Sequence, residues 1–390
     1  MYFADRIDLL STETAFSVLA KAKKLEAQGK DIIHLEIGQP DFDTPQNIKD
    51  AAIKALQEGK TGYCPTTGVH ELKETVAKET SRTRNIAVNP DQVVITPGAK
   101  PIMFFSILAL VNEGDEVMYP NPGFPIYESL IRFVKAKPIP YPLIEEKGFS
   151  FDSDEFVSLV TEKTRLIILN SPQNPTGGIL SQEDLKAVAR IASEKNIMVL
   201  SDEIYRRLIY DKTFHSISSI GDMMDRTVIL DGFSKTFAMT GWRLGYGVMP
   251  EELAKKIELL QVNSNSCAPT FTQYGGIEAL TGDQSAMEEM VASFKLRRDF
   301  VVKGLNAIEG ISCITPEGAF YAFPNVTRLN IEPEDFADLL LNEYGVALLT
   351  GSSFGQYGQG YLRISYANSI ENLQKGLDRI QQAIRDHRLY

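Results

Sequence analysis

Three polar residues in this sequence each follow an apolar run: Asn174 after RLIILN, Asp202 after IMVLS, and Lys235 after TVILDGFS. An amide, a carboxylate and an amine at one edge of one sheet form a chemical set, and in open α/β sheets ligands bind beyond the carboxyl ends of the strands. Taken singly, each residue has another reading. Asn174, in SPQNPTGG, fits a turn residue; Asp202 fits a helix cap; Lys235 fits a solvated lysine.

An anion site belongs to the same region. Gly98, Ala99 and Lys100 stand where a strand meets a helix, and the free N–H groups of a helix start favour negative charge. Ser234 adjoins Lys235, and Arg243 follows eight residues after that lysine. A hydroxyl, a guanidinium and a helix N-terminus make a phosphate cup. The sequence has neither GxxxxGK[ST] nor a strand-linked GxGxxG, which argues against a P-loop or dinucleotide site. The ligand expected here carries one phosphate and a group that an amine, a carboxylate and an amide can share. Pyridoxal 5′-phosphate fits, with an aldehyde for the lysine, a ring nitrogen for the carboxylate, a phenolic oxygen for a donor and a phosphate for the cup.

These residues need a scaffold, and the sequence supplies one. Helical patterns at 70–84, 99–111 and 181–196 alternate with β-branched runs at 91–98, 164–170, 197–203 and 226–235. Short apolar strands separated by helices predict parallel crossovers and an α/β sheet covered on both faces. Beyond about residue 285 the character changes: a long charged helix (285–309), mixed short strands and a last helix (369–385) predict a smaller α+β domain. The expected division is a large domain over 46–284, with 1–45 and 285–390 forming the small one.

With 390 residues, the chain is long enough for two unequal domains. Its 40 basic and 51 acidic residues, a formal net charge of −11, argue against nucleic acid as a partner. The opening MYFADRIDLLSTETAF lacks a basic start followed by an apolar stretch, so no secretory leader is expected. No apolar run approaches a membrane span. Cys64, Cys267 and Cys313, and His34, His70, His215 and His387, are scattered and match no metal spacing. Reduced thiols in a cytoplasmic protein without a metal are the expectation.

Over nearly its whole length the chain resembles the class I/II aminotransferases, pyridoxal-phosphate enzymes of fold type I, and within them the aspartate aminotransferase-like branch. The likeness rests on EIGQPDFDTP (36–45), GYCPTTGVHELK (62–73), TPGAK (96–100), NSPQNPTGG (170–178), SDEIY (201–205), FSKTFAMTGWRLGYG (233–247), GAFYAF (318–323) and LRISYA (362–367), in family order.

The resemblance implies a role for each matching residue. Lys235 would bond the cofactor's aldehyde and later move a proton at the substrate's α-carbon. A free lysine amine, with a pKa of about 10.4, would need a desolvated site near cations to do so at neutral pH. Asp202 would hold the pyridine nitrogen protonated, while Asn174 and Tyr205 would bond the phenolic oxygen. Phe124 would stack on the ring, although a core aromatic is the plainer reading of it. Backbone N–H groups at Gly98, Ala99 and Lys100, with Ser234 and Arg243, would hold the phosphate, and Tyr63 would reach the phosphate of a partner subunit in a homodimer. Gly232 departs from the hydroxyl residue of many relatives, which removes one phosphate contact. Arg363 would clamp the substrate's α-carboxylate, in preference to forming a surface ion pair, and Gly38 would let the backbone approach the same group.

The implied reaction moves an amino group from an L-amino acid, aspartate or another donor, to a 2-oxoacid such as 2-oxoglutarate. Lys100 hints at a distal carboxylate; Phe16, in a segment that lines the pocket in relatives, hints at larger or apolar side chains. The same residues would also serve a lyase or an oxidase. A regulator's binding module would call for a DNA-binding domain ahead of the family match, which begins within the first forty residues.

Overall fold

The computed structural model describes residues 1–390. Its strands are β1 (Ile33–His34), β2 (Val93–Thr96), β3 (Glu116–Asn121), β4 (Lys137–Pro142), β5 (Thr164–Asn170), β6 (Met198–Asp202), β7 (Thr227–Gly232), β8 (Gly245–Val248), β9 (Tyr321–Ala322), β10 (Val346–Ala347), β11 (Leu349–Thr350) and β12 (Leu362–Ser365).

The composition of β5 explains the layering. Leu166, Ile167 and Ile168 are all fully buried, and successive strand residues point to opposite faces, so both faces must be covered. Leu166 and Ile168 pack with Ile102, Met103 and Phe105 of the helix Lys100–Leu110. Ile167 and Leu169 pack with Leu185, Val188 and Ala192 of the helix Gln182–Lys195. That second helix starts where its sequence directs. Ser181 Oγ accepts from Asp184 N at 3.1 Å and Asp184 Oδ2 accepts from Ser181 N at 2.9 Å, a reciprocal cap.

Seven strands form one sheet in the order β2-β8-β7-β6-β5-β3-β4. Only β8 runs against its neighbours, β7 and β2. The connection from Gly232 to Gly245 contains no α-helix, just a 3₁₀ turn at Thr240–Trp242. Without a helical crossover the chain folds back instead of returning parallel. Helices at Gln46–Gln57, Glu251–Val262 and Thr270–Thr281 add to the sequence expectation. The last contains Gly275 and Gly276, which lower helix propensity. Packing overrides propensity there: a Cβ on Gly275 would lie 2.8 Å from Trp242, and one on Gly276 2.6 Å from Leu244.

A second layer carries the antiparallel sheet β11-β12-β9, the parallel pair β1-β10, and the helices Ser285–Asn306 and Ile370–His387. The apolar core is continuous from Leu200 and Leu230 in the large sheet to Phe320, Ile364 and Leu377 in this layer. No helix is long and apolar enough to cross a membrane.

Strand register gathers the chemistry at one edge. Asn170 pairs with Asp202 and Asp202 with Leu230; two residues further on, Gly232 pairs with Gly245 and Gly245 with Thr96. Gly245 is a close-approach position, since a Cβ there would lie 2.4 Å from Ala99 N and 2.6 Å from the Gly98 carbonyl carbon. Gly245→Ala is expected to destabilise the fold by about 1–3 kcal/mol, by pushing the turn before Lys100 outward. Thermal unfolding tests this, and a variant as stable as the parent would contradict it.

Candidate functional site

Beyond the carboxyl edge of β5, β6 and β7 lies a cavity of about 360 Å³. Asn174, Asp202 and Lys235, which the sequence singles out at three strand ends, all line it.

Asp202 is the last residue of β6 and is buried. Its Oδ2 accepts from the Tyr127 hydroxyl at 2.7 Å and its Oδ1 from Ile204 N at 3.2 Å. Burial raises its pKa to about 6, against the lowering effect of these two bonds. No basic side chain bonds this carboxylate within the chain, so a protonated ring nitrogen would be a fitting partner.

Lys235 lies three residues past β7, and its Nζ donates to the Gly38 carbonyl at 2.6 Å. Burial is the largest cause that brings its pKa down to about 8; Glu13 opposes the shift, while Arg363, Lys100 and Arg243 reinforce it. Gly38 has a different structural reason from the one expected of it. A Cβ there would lie 2.2 Å from the Tyr321 hydroxyl, so the missing side chain makes room for that tyrosine. Tyr321 and Tyr205 share a hydroxyl–hydroxyl bond of 2.8 Å, and burial is the first cause raising both phenols above their ordinary range.

The anion cup forms where the helix Lys100–Leu110 begins. Gly98 has φ +82°, and a Cβ on it would lie 2.2 Å from Arg243 Nη2. The guanidinium therefore rests directly on the Gly98 backbone, fixed by Nη1 donating to the Thr240 carbonyl at 2.9 Å. Ser234, Ala99 and Arg243 face the same cavity. Gly232 is filled from behind, with a Cβ there meeting Gly245 Cα at 3.0 Å.

Arg363, in β12, is brought in by the second layer. Its Nη1 donates to Asn174 Oδ1 at 3.1 Å and its Nη2 donates to the Glu36 carbonyl. Its Nε is buried without a partner. Burial lowers its pKa. Tyr321 and Phe354 flank the guanidinium, 4.6 and 4.9 Å from its carbon. Asn174 is held in turn by Asn170 Oδ1, which accepts its backbone N–H at 3.0 Å. The turn containing it is tied to the second layer by Gly177, whose carbonyl accepts from Glu317 N and Gly318 N, both at 2.9 Å.

Phe124 lines the cavity and meets Tyr127 edge-on at 5.7 Å. Tyr63 is not brought to the cavity of its own chain and is 94% exposed. Sequence reasoning gave no role to Tyr127, Tyr321 or Glu13. Tyr127 lies three residues after Phe124, at helical spacing, which is a usable signal. Tyr321 lies within GAFYAF (318–323). Glu13 carried no signal, because its partner Lys100 is 87 residues away.

A larger cleft of about 520 Å³ opens near Glu79. Its cations are already committed: Arg82, Arg206 and Arg207 bond Glu79 at 2.7, 3.1 and 2.6 Å, and Lys295 bonds Asp211. The smaller cavity has the uncommitted chemistry. An amine of lowered pKa, a buried carboxylate with no cation and an anion cup at a helix start together fit pyridoxal 5′-phosphate.

The family model for aminotransferases of class I and II matches residues 30–380. The aspartate aminotransferase of Pyrococcus abyssi is 40% identical over 393 residues, covering 100% of both chains. The aromatic-amino-acid aminotransferase 2 of Thermococcus litoralis is 38% identical, also covering 100% of both. Among solved structures, the aspartate aminotransferase from Thermus thermophilus with maleate superposes with a TM-score of 0.95 at 34% identity, over 98% of this chain and 100% of that one.

The lowered lysine pKa has a measurable consequence. In cofactor-free protein the neutral Lys235 amine grows about tenfold per pH unit below its pKa and saturates above it. Capture of added pyridoxal phosphate, followed by absorbance, should accelerate up to about pH 8 and then level off. A midpoint near that of a free lysine would overturn the desolvated-amine assignment.

Proposed function

The chain belongs to the class I and II aminotransferases, and from that premise we propose that it moves the amino group of an L-amino acid to a 2-oxoacid such as 2-oxoglutarate through the residues gathered around Lys235. Relatives named for aspartate and for aromatic amino acids support a donor range that includes aspartate and aromatic or apolar amino acids. The observation that carries the reading is the gathering, in one cavity, of a half-buried amine with pKa about 8, a buried carboxylate free of cations and a buried arginine whose Nε is unpaired.

Members of the family use pyridoxal phosphate. When bound, it supplies an aldehyde for the amino group and a protonated ring that stabilises negative charge at the α-carbon. The chain's own residues do the rest. Arg363 binds the α-carboxylate and orients the α-carbon. Lys235 Nζ takes the α-proton as a general base and, with the cofactor bound, would deliver it to the carbon that carried the aldehyde, aided by a pKa near the working pH. Asp202, kept in place by Tyr127, would hold a proton at the ring nitrogen. Asn174 and Tyr205 offer hydrogen bonds to the phenolic oxygen. Ser234, Arg243 and the N–H groups of Gly98, Ala99 and Lys100 would hold the phosphate, and Phe124 would stack on the ring.

The reading extends to architecture. Residues 46–284 form the large domain, and residues 1–45 with 285–390 the small one; the pairing of Ile33 and His34 with Val346 and Ala347 supports this division. The protein works as a cytoplasmic homodimer in which Tyr63 reaches the partner's phosphate cup. The exposure of that aromatic ring supports this.

Adding single amino acids to the pyridoxal-phosphate form without a 2-oxoacid should bleach its visible band, and the donors that do so rank the specificity. Lys235→Ala should lose that band and at least about 10²–10⁴ in rate. Arg363→Ala should keep the band while kcat/KM for amino acids falls about a hundredfold, near 3 kcal/mol, as expected for truncating a buried charged partner. Loss of cofactor from the arginine variant would place Arg363 elsewhere.

A further inference from the structure

Most polar groups in the cavity have a role once the amino group, the α-carboxylate and the cofactor are accounted for. Arg243 is seated on Gly98 and Arg363 lies beside Asn174. The remaining cation is Lys100. Its ammonium is bonded by Glu13, which lines the same cavity. Glu13 and Asp202 are the two acidic residues in that lining, and Asp202 is engaged with Tyr127.

Glu13 occupies this place against a local alternative. It is the N-cap residue of the helix Thr14–Glu26, where a carboxylate is normally drawn to the free N–H groups. Its side chain makes no capping bond and instead spans to the first turn of a helix 87 residues away. The ion pair is asymmetric: the Glu13 side chain is 18% exposed and that of Lys100 51%. Ala15, Phe16, Ile37 and Phe124 are apolar walls of the same cavity, the Lys100 ammonium is 5.3 Å from the Phe124 ring centre, and the Glu13 charge also acts on Lys235 and Arg363.

We propose that Glu13 is a specificity-determining residue, an internal and displaceable carboxylate for Lys100. It neutralises the ammonium while an apolar or aromatic side chain fills the pocket, and it gives way to the second carboxylate of an acidic substrate. The inference rests on the transaminase reading, in which two substrates use one pocket in alternation. An apolar side chain beside an unpaired ammonium would leave a desolvated charge uncompensated. An acidic side chain beside an intact Glu13–Lys100 pair would meet a like charge. A carboxylate on a movable strap removes both conflicts. The strap before Glu13 is lightly held. The 3₁₀ turn Asp5–Leu9 has no buried residue, and Ser11 is tied to Ser129 by an N–H to Oγ bond of 2.9 Å and a longer return bond of 3.3 Å.

The test compares Glu13→Gln with the parent, both loaded with pyridoxal phosphate. Single-turnover kcat/KM is measured for glutamate and aspartate and for phenylalanine and leucine. The acidic-to-apolar ratio should rise about tenfold or more in the variant. Calorimetry with two unreactive acids gives a second readout: succinate should bind tighter and 3-phenylpropanoate weaker. In a Lys100→Ala background the same Glu13→Gln change should leave the ratio where it was. A shared change for both substrate classes, an unchanged ratio, or a persistent effect without Lys100 would each overturn the proposal. Glu13→Ser offers the same comparison should the glutamine variant fold poorly. If no amino acid bleaches the parent, the transaminase reading falls, and the two unreactive acids still decide whether Glu13 and a ligand carboxylate exchange on Lys100.

Discussion

The Asp202 carboxylate is buried at the end of a strand with no basic side chain bonded to it, and the site is built around that cost. A desolvated carboxylate drifts toward its protonated form, and here it reaches a pKa of about 6. Two hydrogen bonds, from Tyr127 and from Ile204 N, offset part of the penalty. The rest is left for a ligand to relieve. A protonated ring nitrogen would do so, and the same feature that weakens the empty fold would then strengthen the loaded one.

Directly behind this carboxylate the opposite solution is used. Glu203, the next residue, is bonded by Arg84 at 2.7 Å, and Asp231 by Arg84 at 3.1 Å and Arg206 at 2.6 Å. Tyr246 also donates to Asp231 at 2.9 Å. These buried ions are fully paired. Removing one partner of such a network leaves an uncompensated charge and is strongly destabilising. The network joins β6 and β7 to the helix His70–Arg84, so the two strands carrying Asp202 and leading to Lys235 share one clamp. Alternation along the strand thus separates a satisfied structural face from an unsatisfied chemical one.

Close approach of backbones is the other constraint. Gly245 lets β8 touch the turn at Gly98–Ala99, Gly98 lets Arg243 lie on the chain, and Gly38 lets Tyr321 reach Tyr205. Each glycine removes a side chain where a different functional group must stand. The second layer then contributes Arg363 and Tyr321 from β12 and β9, so the cavity is complete only when both sheets are packed together.

Much of this was legible in the sequence. The helix at 70–84 and the strand at 164–170 fall where periodicity and β-branched content predict them. The strand-end trio of Asn174, Asp202 and Lys235 was readable because parallel α/β sheets expose their carboxyl ends to ligands. Local patterning decides these features, since each depends on neighbours within a turn or a strand. The stacking of Gly275 on Trp242, the Tyr127–Asp202 bond and the Glu13–Lys100 pair depend on tertiary structure alone. They join residues far apart in the chain, and their energies arise from burial and close approach, quantities that exist only once the chain has folded.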